Sequence, residues 1–233
     1  MRGESHLIAS FMISLPTIWA LYSMAPDAMT DVIVYVLGGV LLGCLLPDVD
    51  ASDAKVMHGY WRPIGLFGKY LFYKPMTWIL RTRYDEKTYQ EKHRGYLHSF
   101  IGCFLATIYF AIPIAILFLH STYVMLLPLE TTIWVWVVWI GLPFGFLMHL
   151  VEDSFTKSGV RWRFPDGKIY SGQTRTGKKS EYNLLSAFIV TFGILTAIVY
   201  MATPSFIVLF GAILGSPVLL GALYAANPII SRL

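Results

Sequence analysis

The stretch around His149 has the residue types and spacing of a metal-binding helix. His149 and Asp153 are four positions apart, so on a helix their side chains lie one turn from each other on the same face. An imidazole and a carboxylate in this arrangement can bind one divalent metal ion from a rigid element. The pair follows a long uncharged, tryptophan-rich run, where a membrane helix would meet water.

Further polar residues lie where other apolar runs meet charged loops. Asp48 and Asp50 end one such run, and His93 and His98 precede another. Two aspartates are also common in a helix-terminal turn, and a single histidine is more commonly a surface or packed residue. Their shared placement at the ends of apolar runs favours one joint site, to which we add His6 before the first run. The candidate ligands are His6, Asp48, Asp50, His93, His98, His149 and Asp153.

The types of these side chains indicate which metal would bind. Nitrogen and oxygen ligands without a thiolate favour zinc, with manganese or iron as alternatives. Seven candidates exceed the four ligands of one tetrahedral site. Two arrangements are therefore open, namely about one to three bound ions, or one ion with further carboxylates outside its ligand shell. Cys44 and Cys103 lie inside apolar runs without zinc-site spacing, and we interpret them as packing residues.

The composition indicates an integral membrane protein. Of the 233 residues, 56% are hydrophobic and only 14% are charged, whereas about a quarter of a soluble domain is charged. Residues 51–97 mix aromatic and basic side chains, which favours interfacial helices over a small soluble cap. We predict one all-α polytopic domain over residues 1–233, with a C-terminal hairpin within 182–231. Its six predicted transmembrane helices are 7–25, 32–47, 99–119, 131–148, 184–202 and 206–225.

The charges follow this topology. All 18 lysines and arginines fall on one side of a six-span arrangement, and the opposite loops carry Asp27, Asp31 and Glu130. The positive-inside rule then places both termini, both polar loops and the metal site in the cytoplasm, at the inner membrane. Because the basic residues flank the spans, the net charge of +4 indicates lipid headgroups or an anionic substrate, not nucleic acid.

One basic residue has a position that suggests chemistry. Arg94 lies between His93 and His98, where its guanidinium could bind a phosphoryl oxygen bidentately. Arg161 and Lys178 are further candidates for phosphate binding, although topology explains most basic residues. A metal ion with an arginine suits phosphoester hydrolysis, since both stabilise developing negative charge. We therefore expect a phospholipase- or lipid-phosphatase-like enzyme acting on a membrane lipid, with catalytic residues Asp50, Arg94, His98 and Asp153.

Two other functions use the same residues. A metal or ion transporter holds its ligands near the bilayer midplane, often on broken helices. A non-catalytic membrane protein stabilised by metal would have a closed site with four protein ligands. Ligands at helix ends favour an enzyme over a transporter, but the sequence does not separate an enzyme from a structural site.

These motifs resemble those of the YdjM family of bacterial and archaeal membrane proteins, which are expected to be metal-dependent hydrolases. The matching segments occur in family order and are 5–7, 44–50, 93–99 and 149–153 with Thr156, Gly159 and Pro165, and more loosely 177–181. The family is distantly similar to zinc-dependent phospholipase C and related single-strand nucleases, which are all-helical.

The resemblance implies roles for the candidate ligands. His149 and Asp153 would bind or bridge zinc, and Asp48 or Asp50 would supply a carboxylate. The ligand shells would be completed by His6, His93 and His98. The sequence departs from the soluble enzymes because it has no second His-x-x-x-Glu motif. In addition, His6 follows five residues, whereas those enzymes use their N-terminal amine.

Overall fold

The computed structural model describes residues 26–84, 95–124, 136–165 and 167–173, together with helical positions 7, 8, 10, 11, 14, 191, 194, 195 and 198. Its helices are α1 (Pro26–Leu45), α2 (Arg62–Phe67), α3 (Lys74–Arg83), α4 (Phe100–Val124) and α5 (Leu142–Ser154). The π-helical segments Gly68–Tyr73 and Trp136–Gly141 lead into α3 and α5. Short 3-10 turns are Leu46–Asp50, Lys55–Met57, Gly59–Trp61 and Tyr96–His98, and a hairpin pairs β1 (Val160–Arg161) with β2 (Ile169–Tyr170).

Two of the described helices are long and apolar enough to cross a membrane. They cover Ile33–Asp50 and Val137–Ser154, and a shorter apolar helix covers Phe100–Ile112. These helices correspond to the second, fourth and third predicted spans. The first predicted span and the 182–231 hairpin are described only at scattered positions, so the count of six spans stays a prediction.

Several helix ends differ from the sequence-based expectation. α1 begins at Pro26 and includes Asp27 and Asp31, which we had expected in a loop. Proline suits the first turn of a helix, because its missing N–H has no partner there in any case. α5 continues beyond the expected end of its span to Ser154, so His149 and Asp153 both lie inside a regular helix.

The predicted helices between the second and third spans are present. Residues 62–83 form one continuous helical run from α2 through the first π segment to α3. Each π segment lies just before a proline, Pro75 or Pro143. A proline lacks the N–H of the regular ladder and crowds the carbonyl four residues earlier, which explains the widened turn. The position of this run at the membrane interface stays a prediction.

The contact of α1 with α5 depends on two glycine pairs, each spaced four residues apart. Gly39 and Gly43 face the π segment and α5, while Gly141 and Gly145 face α1. A Cβ added at any of the four would overlap backbone atoms of the opposite helix; at Gly43 the overlap is with the Leu142 carbonyl. Small residues at such spacing allow membrane helices to approach closely. Because the contacts follow the same order along both helices, α1 and α5 are parallel.

α4 runs in the opposite direction. The Cys103 thiol donates to the Pro143 carbonyl at 3.8 Å, while the first residue of α4, Phe100, lies beyond the other end of α5. Its backbone N–H donates to the Trp162 carbonyl at 2.8 Å, and the two rings lie 4.9 Å apart. The C-terminal ends of α1 and α5 therefore meet the N-terminal end of α4 at one end of the bundle.

A small hairpin after α5 is a departure from the predicted all-α fold. Val160 pairs with Tyr170 and Arg161 with Ile169 in antiparallel register. Gly159 leads the chain into β1 with φ of 61°, a conformation that favours glycine. The Trp162 indole donates to Ser154 Oγ at 3.1 Å. The hairpin thus connects the last turn of α5 to the start of α4.

The glycine contact leads to a stability prediction. We expect Gly43→Leu to lower the free energy of unfolding by at least about 1–3 kcal/mol, because the new side chain would meet backbone that cannot move aside. Gly38→Ala is the matched control: a Cβ there meets nothing within 4 Å, and alanine favours helix. Thermal unfolding in detergent measures both variants. Equal melting temperatures for Gly43→Leu and the wild type would contradict this account of the α1–α5 contact.

Candidate metal centre

Three elements bring four side chains together at this end of the bundle. Asp48 lies in the 3-10 turn after α1, His98 lies in the turn before α4, and His149 and Asp153 lie one helical turn apart on α5. We call these four residues the His/Asp cluster. It joins the three polar boundaries that the sequence suggested.

The local sequence explains why each turn presents its side chain here. Pro47 cannot donate the next α-helical hydrogen bond, and α1 changes at Leu46 into the tighter 3-10 turn that carries Asp48. On the other side of the cluster, Ser99 caps α4, since its Oγ accepts from the Gly102 N–H at 3.3 Å. His98 is therefore held directly before a capped helix start.

The ligand atoms of the cluster lie at similar distances from one another. His98 Nε2 is 3.8 Å from Asp48 Oδ1 and 3.6 Å from Asp153 Oδ2. His149 Nε2 is 3.6 Å from Asp48 Oδ1 and 3.9 Å from Asp153 Oδ2. One ligand atom each from Asp48, His98 and His149 lies within 4.8 Å of the other two. Each imidazole therefore faces both carboxylates.

These imidazole–carboxylate distances are close to those between neighbouring ligands of one metal ion. Zinc bonds to histidine nitrogen and carboxylate oxygen are about 2.0–2.2 Å long, so neighbouring ligands of a tetrahedral site lie roughly 3.4 Å apart. Neighbours in an octahedral shell of the same bond length would lie about 3.0 Å apart. The observed 3.6–3.9 Å is nearer the tetrahedral value. Asp48, His98 and His149 could therefore share one ion, and Asp153 lies within reach of both imidazoles although it is outside the group of three whose ligand atoms all lie within 4.8 Å of one another.

A backbone hydrogen bond sets the orientation of one imidazole. His149 Nδ1 lies 2.8 Å from the carbonyl oxygen of Cys44. Since a carbonyl can only accept, Nδ1 carries the proton and, in the neutral ring, Nε2 presents its lone pair to the cluster. Cys44 belongs to the last turn of α1, where carbonyls lack regular helical partners. Metal-binding histidines commonly have such a bond at their second nitrogen.

The electrostatic environment favours a cation. His98 and His149 are fully buried, and Asp153 is 1% exposed. The C-terminal ends of α1 and α5 both point here, and a helix C-terminus carries partial negative charge. Glu152 adds a third buried carboxylate beside Asp48 and Asp153. Buried carboxylates near two helix C-termini produce a negative potential that a divalent ion would reduce.

Glu152 was missed by the sequence-based reasoning. Its Oε1 accepts from Ser10 Oγ at 3.1 Å, and that hydroxyl lies 3.4 Å from Cys44 Sγ. Ser10 belongs to the first predicted span, so this contact connects that segment to α1 and α5. One feature of the sequence could have identified Glu152. It lies three positions after His149, and this spacing places its carboxylate beside the helix face that carries the imidazole.

The other candidate residues predicted from the sequence do not join the His/Asp cluster or lie outside the described residues. Asp50 ends the turn that carries Asp48 and is not among the converging ligand atoms. Arg161 Nη1 donates to the Pro165 carbonyl at 2.6 Å within the loop of the hairpin. His58 is exposed and contacts the Ser52 carbonyl at 3.0 Å. The remaining candidates lie outside the described residues and are His6, His93, Arg94 and Lys178.

Comparison with known protein families agrees with the apolar helices of this chain. The family model for YdjM inner membrane proteins matches residues 1–228. The chain belongs to the YdjM family. No curated protein and no solved structure matches it. This YdjM protein is therefore an inner membrane family member with a candidate metal site formed by Asp48, His98 and His149.

The geometry predicts stoichiometric metal binding. We expect the purified protein to bind about one zinc ion per chain at the His/Asp cluster. Asp48→Asn and His98→Gln should weaken zinc binding by more than about 100-fold, since loss of outer partners alone has effects of 10–100-fold. Competition with a chromogenic chelator measures the affinity.

Two variants serve as matched controls for this prediction. His58→Gln repeats the histidine-to-glutamine change at an exposed histidine. Asp50→Asn repeats the aspartate-to-asparagine change at the other aspartate of the 46–50 turn. Both should bind zinc as the wild type does. Equal losses in Asp50→Asn and Asp48→Asn would contradict the assignment of Asp48 as the ligand on this turn.

Proposed function

We propose that this protein is a membrane-embedded, metal-dependent hydrolase that cleaves a phosphoester of a membrane lipid. The observation that carries the proposal is the convergence of two imidazoles and two carboxylates at 3.6–3.9 Å at the ends of apolar helices. Such donor sets occur in hydrolytic zinc sites. Fold and family membership alone would not support an activity.

The position of the cluster supports an enzyme over a transporter. Asp48 lies beyond the last residue of α1, and Asp153 is next to the last residue of α5. Transporters instead place their ligands near the bilayer midplane, where helices are interrupted. A site at the aqueous end of the spans can admit water and a lipid headgroup together, as hydrolysis of a headgroup ester requires.

The metal has one function in the proposed reaction. Held by the cluster, a zinc ion would act as a Lewis acid toward a phosphoryl oxygen and would increase the acidity of water. Manganese or iron could take the same place, and one to three ions are compatible with our sequence-based ligand set.

The chain's own residues would orient and activate the reactants. The Cys44 carbonyl keeps the proton on His149 Nδ1, so that Nε2 remains available as a ligand. Asp48 is the most exposed member of the cluster, with 12% side-chain exposure against 2% for Asp153. Substrate would therefore arrive from the Asp48 side. Asp50, on the same turn, is our candidate to accept a proton from water.

The surrounding charges suit a phosphoester of a lipid. The topology prediction places the cluster at the cytoplasmic face of a six-span protein, among its basic loops. Arg94 lies two positions before the turn that carries His98, and we propose that it binds a phosphoryl oxygen. Arg161 lies in the hairpin that connects α5 to α4, and Lys178 follows that hairpin. Both are proposed to contribute to binding an anionic headgroup.

One observation favours a second candidate function. Three of the four cluster residues are almost fully buried, and such a buried donor set would also suit a closed structural zinc site. In that case metal removal would lower thermal stability and no activity would be present. The two candidates therefore differ in a property that one set of variants can measure.

The Asp50 variant tests the enzymatic proposal most sharply. We expect Asp50→Asn to retain zinc and the wild-type melting temperature, and to lose about 100-fold or more in kcat toward a phosphoester, within the usual range for a general base. Hydrolysis of mixed-micelle phospholipids and of a chromogenic phosphodiester measures the activity. His149→Ala should lose both metal and activity.

Metal dependence provides the control for this prediction. Chelation should abolish hydrolysis, and added zinc should restore it. Wild-type protein with a full complement of zinc and no activity toward any of these esters, together with a melting temperature that falls on chelation, would instead indicate the structural site.

A further inference from the structure

An apolar groove lies between the second half of α1 and the segment that contains α2. Its volume is about 450 Å³. One wall is formed by Gly38, Leu41, Leu42 and Leu45 of α1, and the other by four residues of the 61–67 segment, including Ile64 and Phe67. We call this space the α1–α2 groove. It lies beside the proposed metal site, because Leu45 is followed directly by the turn that carries Asp48.

The α1 wall follows from the sequence of the helix. Its four groove residues have spacings of three and four, so they form one stripe along α1. The neighbouring glycines, Gly39 and Gly43, face α5 instead. Gly38 has no side chain, and a Cβ there would meet nothing within 4 Å. The groove is therefore a space that packing of α1 against α5 leaves open.

The location of the groove determines what can occupy it. The α1 wall belongs to the candidate membrane span Ile33–Asp50, and at that depth hydrocarbon replaces water as the surrounding medium. From Gly38 to Leu45 the wall is about 10 Å long, which suits part of an extended acyl chain. Several apolar side chains beside it are exposed, including Ile64 and Phe67. The groove thus continues into a surface suited to lipid.

The wall of the groove opposite α1 carries features of the membrane–water interface. Arg62 is exposed and lies between two lining residues, Trp61 and Pro63. Tryptophan is enriched at headgroup depth, and a basic residue there attracts anionic headgroups. The other polar neighbour of the groove is the turn after Leu45. A lipid chain in the groove would therefore be bordered by Arg62 on one wall and by the turn of Asp48 directly after the other wall.

We propose that the α1–α2 groove binds one acyl chain of an anionic phospholipid and presents its headgroup ester to the His/Asp cluster. The presentation of the ester depends on the hydrolase function proposed above, whereas binding of the chain does not. The occupant is a bilayer lipid. Another segment of this protein, or a second copy of it, would leave no room for that chain.

Photolabelling of the full-length protein tests the proposal. The protein is reconstituted in vesicles of phosphatidylethanolamine and phosphatidylglycerol that contain phosphatidylglycerol with a photoreactive acyl chain, and labelled peptides are mapped by mass spectrometry. We expect Leu41, Leu42 and Ile64 to be labelled even when the protein is irradiated after exchange into detergent. Phe104 and Ile116, on the exposed apolar face of α4, should be labelled only when irradiation precedes the exchange.

Two variants of equal size locate the bound chain. Gly38→Phe fills the groove and raises helix propensity, so the helix should still form; groove labelling should be lost. Val34→Phe adds the same ring one turn earlier, at a side chain that is 62% exposed and outside the groove, and should leave labelling unchanged. Unchanged labelling in Gly38→Phe, or no retained label in the wild type, would overturn the proposal.

The outcome is separable from that of the proposed function. Asp48→Asn removes a metal ligand and should keep the groove labelled. Retained label without any phosphoester hydrolysis would support the lipid site and contradict the proposed hydrolase function. If the wild type hydrolyses phospholipid and Gly38→Phe has an unchanged kcat/KM toward long-chain lipid, the groove does not present the substrate.

Discussion

The close parallel contact of α1 and α5 is the constraint on which the site depends. Four glycines allow the two backbones to meet without intervening side chains. Because the helices are parallel, their C-terminal ends lie side by side, and the last turn of α1 is near enough to accept a hydrogen bond from His149. A wider crossing would separate the Cys44 carbonyl from that imidazole and the turn of Asp48 from α5. The glycine contact therefore determines the spacing of the donor atoms.

The same arrangement creates the electrostatic character of the site. Parallel helices add their dipoles, whereas the antiparallel α4 contributes its N-terminal end beside His98. Buried carboxylates at two helix C-termini are unfavourable unless positive charge is near. A divalent ion bound by imidazole and carboxylate provides such charge in a small volume. This property distinguishes the end of the bundle that carries the cluster from an ordinary polar helix end.

Some features could be predicted from the sequence because they depend on helical periodicity or on capping chemistry. His149 and Asp153 lie one turn apart on a helix, and Ser99 caps α4. The apolar composition of the second, third and fourth spans agrees with the described helices and with the inner membrane family.

Other features depend on tertiary contacts that a single sequence does not encode. Which aspartate of the 46–50 turn faces the histidines is decided by the 3-10 geometry, so Asp48 and Asp50 were equal candidates. Glu152 is buried by contact with Ser10, 142 positions away. The hairpin escaped prediction because its strands are two residues long, too short for an alternating pattern to be recognised.

X-ray absorption spectroscopy of the zinc-loaded protein is the most direct test of the central claim that this end of the bundle holds a metal through two imidazoles and two carboxylates. The account predicts a first shell of about four nitrogen and oxygen atoms near 2.0 Å, with the outer scattering of two imidazole rings. A sulfur scatterer near about 2.3 Å would place the metal on a cysteine. That result, or a shell without imidazole scattering, would contradict the account.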